Sequence, residues 1–213
     1  MPAMYLKQLE LGPMQNFVYL IGDPETREAA VVDAGWDVPA ILDTLQQDGY
    51  RLTRAFVTHH HFDHVMGLAD LVKAAKVPVH VHAADAPMLS LPPAALEPTQ
   101  DGQVIPVGRV PVAVIHTPGH TPGSQCLLVE GHLFSGDTLF IGACGRWDLP
   151  GGDPRQLHHS LANKLRALPD DTILCPGHNY ADVPTTRLGE EKHANPFLRV
   201  GTTDEFLRLI GRA

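Results

Sequence analysis

Seven consecutive residues constrain this chain more than any others: Thr58-His59-His60-His61-Phe62-Asp63-His64. They place three histidines and a carboxylate in the pattern His-x-His-x-Asp-His, directly after the apolar run Ala55-Phe56-Val57. Alternate residues of an extended segment point the same way, so His59 and His61 can share one metal ion. His60 alternates away from them and is not expected to be a ligand. Asp63 and His64 fall past the bend, where they can address a second ion. Neutral imidazole and carboxylate are donors that zinc, iron and manganese all accept. A His-rich surface loop or a purification tag would not contain Phe62 and Asp63, and it would have no partners downstream.

This cluster has partners. Thr117-Pro118-Gly119-His120, Phe134-Ser135-Gly136-Asp137 and Cys175-Pro176-Gly177-His178 each read as a strand end and a turn carrying one more ligand type. Counted together, His59, His61 and His120 serve one ion, Asp63, His64 and His178 serve another, and Asp137 is a carboxylate able to bridge them. Two ions about 3.5–4 Å apart would lower the pKa of a shared water and place a Lewis acid beside the group it attacks. That chemistry is metal-assisted hydrolysis. Structural zinc sites are closed and rich in cysteine, so a binding module built on structural zinc fits this donor set poorly.

Composition narrows the classes further. Sixteen Lys plus Arg against 24 Asp plus Glu give a net charge of -8, which offers no broad footprint for nucleic acid or membrane. At 213 residues and 44% hydrophobic content the chain is expected to form a single domain over 1–213 with a substantial core. Cys126, Cys144 and Cys175 are odd in number, lie in or beside apolar runs and form no Cys-x-x-Cys pair, as expected of reduced thiols. Met1 to Tyr5 hold no basic segment leading into an apolar core, and no apolar run approaches a spanning helix, so a soluble, cytoplasmic protein is expected. A homo-oligomer is compatible with the composition.

Hydrophobic patterning predicts strands over 5–11, 16–21, 29–33 and from Ala55, and a helix from Pro39 to Gly49 capped by Asp37. Apolar residues at helical spacing predict one helix over 65–76, followed by a strand from Val77 to Val81. His80 and His82, on one face, read as an ordinary hydrogen-bonded pair. Residues 87–103, with four prolines, read as a meandering loop, and short strands resume to Ser135. A helix capped by Asp153 runs through Leu157, Leu161, Leu165 and Leu168, a last buried strand covers 172–175, and short helices cover 188–193 and 202–210.

The motif set resembles the metallo-β-lactamase superfamily, which shares His-x-His-x-Asp-His and the later single His, Asp and His in this order. The resemblance implies an α/β fold, the αββα sandwich, with two mixed sheets face to face, helices on the outer faces and metals at one edge. Within it, the first motif, Thr117-Pro118-Gly119-His120-Thr121-Pro122-Gly123-Ser124 and Gly136-Asp137-Thr138-Leu139-Phe140 look most like glyoxalase II enzymes, which hydrolyse S-acylglutathione thioesters. Cys144-Gly145-Arg146 fits the same family and implies that Arg146 binds the glutathione moiety. The C-terminal helical domain with which longer glyoxalase II enzymes complete that site is expected to be lacking in these residues. Gly145-Arg146-Trp147-Asp148, Pro176-Gly177-His178-Asn179-Tyr180, Gly189-Glu190-Glu191-Lys192 and Asn195-Pro196 are similar to persulfide dioxygenases, which oxidise glutathione persulfide at one iron. That resemblance implies one Fe(II) on His59, His120 and Asp137, with Arg146, Tyr180 and Lys192 as substrate contacts. The glyoxalase II resemblance implies two divalent ions, zinc or else iron or manganese, and Asp63 as the residue that orients the nucleophile or takes its proton.

Overall fold

The computed structural model describes residues 4–212; Met1 to Ala3, part of the N-terminal reading above, lie outside the described residues. Two six-stranded sheets face each other. The first runs in chain order: β1 (Tyr5–Leu11), β2 (Asn16–Asp23), β3 (Glu28–Val32), β4 (Arg51–Phe56), β5 (Val79–His82) and β6 (Leu96–Thr99). Its first two pairings are antiparallel and the rest parallel. The second contains β7 (Val104–Val107), β8 (Val110–His116), β9 (Gln125–Val129), β10 (His132–Gly136), β13 (Ile173–Pro176) and β14 (Thr186–Arg187), in the order β14-β13-β10-β9-β8-β7. Only its β10–β13 pairing is parallel. A small hairpin, β11 (Leu139–Phe140) with β12 (Ala143–Cys144), follows β10.

Strand β2 shows why three apolar layers form. All eight of its residues are buried, and the two-residue period sorts them. Phe17, Tyr19 and Ile21 enter the core between the sheets with Phe56, Val112, Leu127 and Phe134. Val18 and Leu20 face the opposite way, under the helices α1 (Val38–Gln47) and α3 (Leu68–Ala75), with Ile41, Leu45, Leu68 and Leu71. The outer face of the second sheet is covered by α4 (Pro154–His159), α5 (Leu188–Ala194), α6 (Pro196–Arg199) and α7 (Thr203–Leu209). Leu157, Leu161, Leu165, Leu174, Leu188 and Phe206 fill that third layer.

Three expectations need correction. The helix over 65–76 is two: α2 (Phe62–Val65) holds Asp63 and His64, and α3 starts after a break at Met66-Gly67. The break lets α2 aim its ligands while α3 packs on the first sheet. Only glycine fits there, since a Cβ on Gly67 would lie 2.5 Å from the Ala34 carbonyl oxygen. The helix after Asp153 is α4 followed by a wide turn with π geometry over Ser160–Leu165, which keeps Leu157, Leu161 and Leu165 all on the sheet. The loop over 87–103 contains β6, an edge strand. Pro98 is tolerated there because an edge has no neighbour requiring the missing N–H. Among the described residues no helix is long and apolar enough to cross a membrane, and all three cysteines are free.

Candidate metal centre

Five strands deliver their carboxyl ends to one edge of the sandwich: β3 leads to Asp33, β4 to His59 and His61, β8 to His120, β10 to Asp137 and β13 to His178. The edge is sewn together by backbone pairing. Phe17 N–H donates to Gly177 O (2.8 Å), Asn179 N–H to Gln15 O (2.8 Å), and Gln125 N–H to Thr58 O (2.8 Å). Glycines allow the closest approaches; a Cβ on Gly177 would stand 2.5 Å from Asp137 Oδ1.

The seven sequence-selected ligands come together in two sets. His59, His61 and His120 form one, with potential donor atoms all within 4.8 Å of one another. Asp63, His64 and His178 form the other. Asp137 lies between them, with Oδ2 3.6 Å from His120 Nε2, and Oδ1 3.3 Å from His64 Nε2 and 3.5 Å from His178 Nε2. In the second set, Asp63 Oδ2 is 3.4 Å from both His64 Nε2 and His178 Nε2, and the two nitrogens are 3.2 Å apart. Bonds of about 2.0–2.1 Å to a tetrahedral ion place donors about 3.4 Å apart, which these separations match. His59 Nε2, His120 Nε2 and Asp137 Oδ1 are moreover buried without a hydrogen-bond partner, a costly arrangement unless something else satisfies them. The residues fit divalent metal.

Hydrogen bonds at the far ring nitrogens set which nitrogen faces the centre. His120 Nδ1–H donates to Arg146 O (2.7 Å) and His178 Nδ1–H to Met14 O (2.9 Å). His64 Nδ1–H donates to Asp33 Oδ2 (2.9 Å). Thr58 gives its one hydroxyl proton to Asp33 Oδ2 (2.6 Å), so its lone pair accepts His59 Nδ1–H (3.1 Å). Each of these four rings thereby keeps an Nε2 lone pair for a metal.

The electrostatics of the two sets differ. Burial holds the His59 imidazole well below its usual pKa, with His64 adding to the effect, and burial likewise lowers His61, to about 4, and His120. These rings are neutral ligands. Around Asp63 and Asp137 burial opposes ionisation, but the neighbouring His64 and His178 outweigh it, holding Asp63 at about 2 and Asp137 well below the carboxylate range. Burial also opposes charge on His64 and His178, yet Asp137 foremost, with Asp33 on the one and Asp63 on the other, raises His64 well above its usual value and His178 to about 9. The second set is therefore a place that attracts positive charge.

Several residues of this site carry no spacing signal in the sequence. Asp33, 3% exposed and in the left-handed region at φ 59, which Asp and Asn adopt more readily than other side-chain-bearing residues, orients one ligand of each set. The only hint is an Asp ending an apolar strand. Asn16 donates to Asp63 Oδ2 (2.9 Å) and is itself held by Trp36 Nε1–H (2.9 Å). Asp85 ties the two histidine loops together by accepting from His60 N, Thr121 Oγ1 and Gly123 N. His60 turns to Asp85, 2.9 Å from its Nδ1, and away from the ligands.

The expected substrate residues divide. Tyr180 stacks on His178 (centroids 4.6 Å, 8° between planes) and is 60% exposed. Arg146 supplies the carbonyl for His120, while its exposed guanidinium pairs with Asp148 at 2.9 and 3.0 Å. Lys192 does not join them, because its ammonium donates to Leu168 O and Asp170. His80 and His82 do not bond each other either; His80 stacks on Phe56 and His82 on His116. Cys144 is a half-buried thiol pushed up to about 12 by desolvation, which disfavours the thiolate.

Residues 11–178 match the metallo-beta-lactamase superfamily. The hydroxyacylglutathione hydrolase of Alkalilimnicola ehrlichii is 42% identical over 166 residues, covering 78% of this chain and 62% of its own length. The mitochondrial persulfide dioxygenase ETHE1 of Homo sapiens is 33% identical over 202 residues, 92% of this chain and 76% of its own. The crystal structure of ETHE1 from Myxococcus xanthus is similar with a TM-score of 0.88 at 32% identity, covering 98% of this chain and 90% of that one. With the two donor sets in place at the strand ends, the chain belongs to the metallo-beta-lactamase superfamily.

Proposed function

We propose that the protein is a metal-dependent hydrolase that cleaves a thioester of the S-acylglutathione class. The observation that carries this reading is the division of Asp137 between two donor sets, Oδ2 toward His120 and Oδ1 toward His64 and His178. His59, His61 and His120 would hold one divalent ion and Asp63, His64 and His178 the other. Ions bound there supply Lewis acidity and lower the pKa of water toward neutrality.

The chain's own residues do the rest. Asp63, ionised at neutral pH and fixed by Asn16, is an acceptor able to orient the nucleophile or take its proton. Tyr180, whose hydroxyl burial and the nearby Asp137 and Asp63 keep protonated, offers a donor at the mouth of the site. Arg146, on the segment that holds His120, can exchange Asp148 for a substrate carboxylate. A thiol with a pKa near 8.5 leaves as thiolate, so no strong general acid is needed. Lys192, engaged by Leu168 and Asp170, is left out of the substrate site.

A second reading, oxidation of glutathione persulfide at one iron held by His59, His120 and Asp137, is supported by the ETHE1 likeness. It extends over 98% of the chain and so includes the part beyond residue 178. The two separate in one experiment. S-lactoylglutathione hydrolysis and oxygen uptake with glutathione persulfide are measured on the same preparation. The hydrolase reading expects thioester cleavage without oxygen uptake, lost in folded Asp137→Ala protein; oxygen uptake with no thioester cleavage sinks it.

A further inference from the structure

The superfamily match ends at residue 178, yet α5, well beyond it, reaches back to the β11–β12 hairpin that follows Asp137. Glu191 and Asn195 lie one turn apart at its end, 4% and 0% exposed. Glu191 Oε2 accepts Gly142 N–H (2.7 Å) and Asn195 Nδ2–H (2.9 Å). Asn195 Nδ2, with two protons for three acceptors, also faces Phe140 O (3.1 Å) and Ala143 O (3.0 Å), which share its second N–H, while its Oδ1 caps α6 through Phe197 N–H (3.0 Å). Among the described residues no cation pairs with Glu191. A buried carboxylate oxygen and a buried amide thus face the β11–β12 hairpin and the helix cap, an arrangement that is costly if left half-satisfied.

The hairpin leads straight into the site. Gly145, next after β12, lies so close to the Asp137 backbone that a Cβ would stand 1.7 Å from Asp137 O and 3.2 Å from His120 Nδ1. Arg146 then presents the carbonyl that fixes the His120 ring. We infer that Glu191 and Asn195 are positioning residues: they clamp the turn at 140–143 so that the Arg146 carbonyl holds His120 as a metal ligand and the Arg146 side chain is set at the mouth. His64 and His178 donate their Nδ1–H to Asp33 and the Met14 carbonyl, outside this hairpin, which meets the second set through the Phe140 ring, 6.0 Å from that of His178. The clamp rests on His120 being a ligand, which both readings of the function share.

The test is zinc titration against a chromophoric chelator on wild type, Asn195→Ala, Glu191→Gln and Leu45→Ala, at a temperature where all are folded. Leu45, 2% exposed in the apolar layer under α1 and apart from the layer that holds the hairpin, supplies a loss of thermal stability without touching the clamp. Asn195→Ala is expected to weaken the zinc held by His120 about 10-fold and to leave the Asp63-His64-His178 site within about 2-fold. Glu191→Gln shifts the same site less, because its amide oxygen can still accept Gly142 N–H. In ¹⁵N spectra of zinc-loaded protein the His120 Nδ1 resonance moves in Asn195→Ala while that of His64 stays. Wild-type affinities in Asn195→Ala, or a loss spread over all zinc as in Leu45→Ala, overturn the clamp; if Asn195→Ala does not fold, Glu191→Gln decides by the same criteria. His120→Ala separates the two levels: unchanged zinc binding removes the ligand assignment, whereas weakened binding there and none in the clamp variants removes only the clamp.

Discussion

Replacing Asp33 by Asn tests how far one buried carboxylate organises the centre. Asp33 Oδ1 accepts Thr58 N–H at 2.7 Å, and Oδ2 accepts Thr58 Oγ1–H at 2.6 Å and His64 Nδ1–H at 2.9 Å. Asn tolerates the left-handed backbone at φ 59, so the change acts through the side chain alone. Its amide has one oxygen. If the NH₂ faces Thr58 N–H, two donors oppose each other. If it faces the other way, Thr58 and His64 must reverse their hydrogen bonds, and His64 then carries its proton on Nε2, toward the centre. Hydrogen bonds to a charged group are worth about 1.5–3 kcal/mol each, but these share one carboxylate and do not add. A loss of about 3 kcal/mol is expected, or about 6–12 °C in Tm for a chain of this size. Metal affinity should fall about 10–100-fold, since Asp33 orients a ligand of each set. Calorimetry, chelator competition and long-range ¹H–¹⁵N spectra of the histidines measure the three effects. Wild-type affinity together with His59 and His64 still protonated on Nδ1 would rule out this role for Asp33.

Other predictions follow from the same geometry. In protein stripped of metal by a chelator, His178, raised to about 9, contributes stability that is full below the ordinary imidazole pKa and is lost as pH rises through about 9. The Tm of stripped protein should therefore fall between about pH 6.5 and 9, and the fall should vanish on zinc loading; a flat profile in the stripped protein contradicts it. Arg146→Ala is expected to raise KM for S-lactoylglutathione by about 10-fold with kcat little changed, the pattern of lost uniform binding; steady-state kinetics with both values unchanged remove the role. Gly177→Ala forces a methyl within 2.5 Å of Asp137 Oδ1 and should cost about 1–3 kcal/mol and some metal affinity, read by denaturant unfolding and chelator competition, with wild-type values for both counting against it.

The ligands were legible because their chemistry has a period: alternate residues of an extended chain put His59 and His61 together, and a glycine turn after an apolar strand marks His120, Asp137 and His178. What orients them has none. Asp33 lies 31 residues from His64, and Asn16 lies 47 from Asp63, so only sheet formation brings each pair into contact. Glu191 and Asn195 stand in a stretch marked by its likeness to persulfide dioxygenases, but nothing in its spacing tells that they meet the β11–β12 hairpin, about 50 residues earlier. The break at Gly67 was hidden because the apolar spacing continues through it, and β6 because its proline masks an edge strand. Lys192 illustrates the converse. A cation in a motif resembling a substrate site reads as a substrate contact, but Asp170 and the Leu168 carbonyl hold it first.

Two metal-binding donor sets joined by Asp137 underlie the proposed chemistry. Elemental analysis of untagged protein, purified anaerobically without added metal, tests this most directly. About two divalent ions per chain, falling in Asp137→Ala protein that remains folded, is the predicted result. One iron per chain and no other metal would contradict it and transfer the assignment to persulfide oxidation.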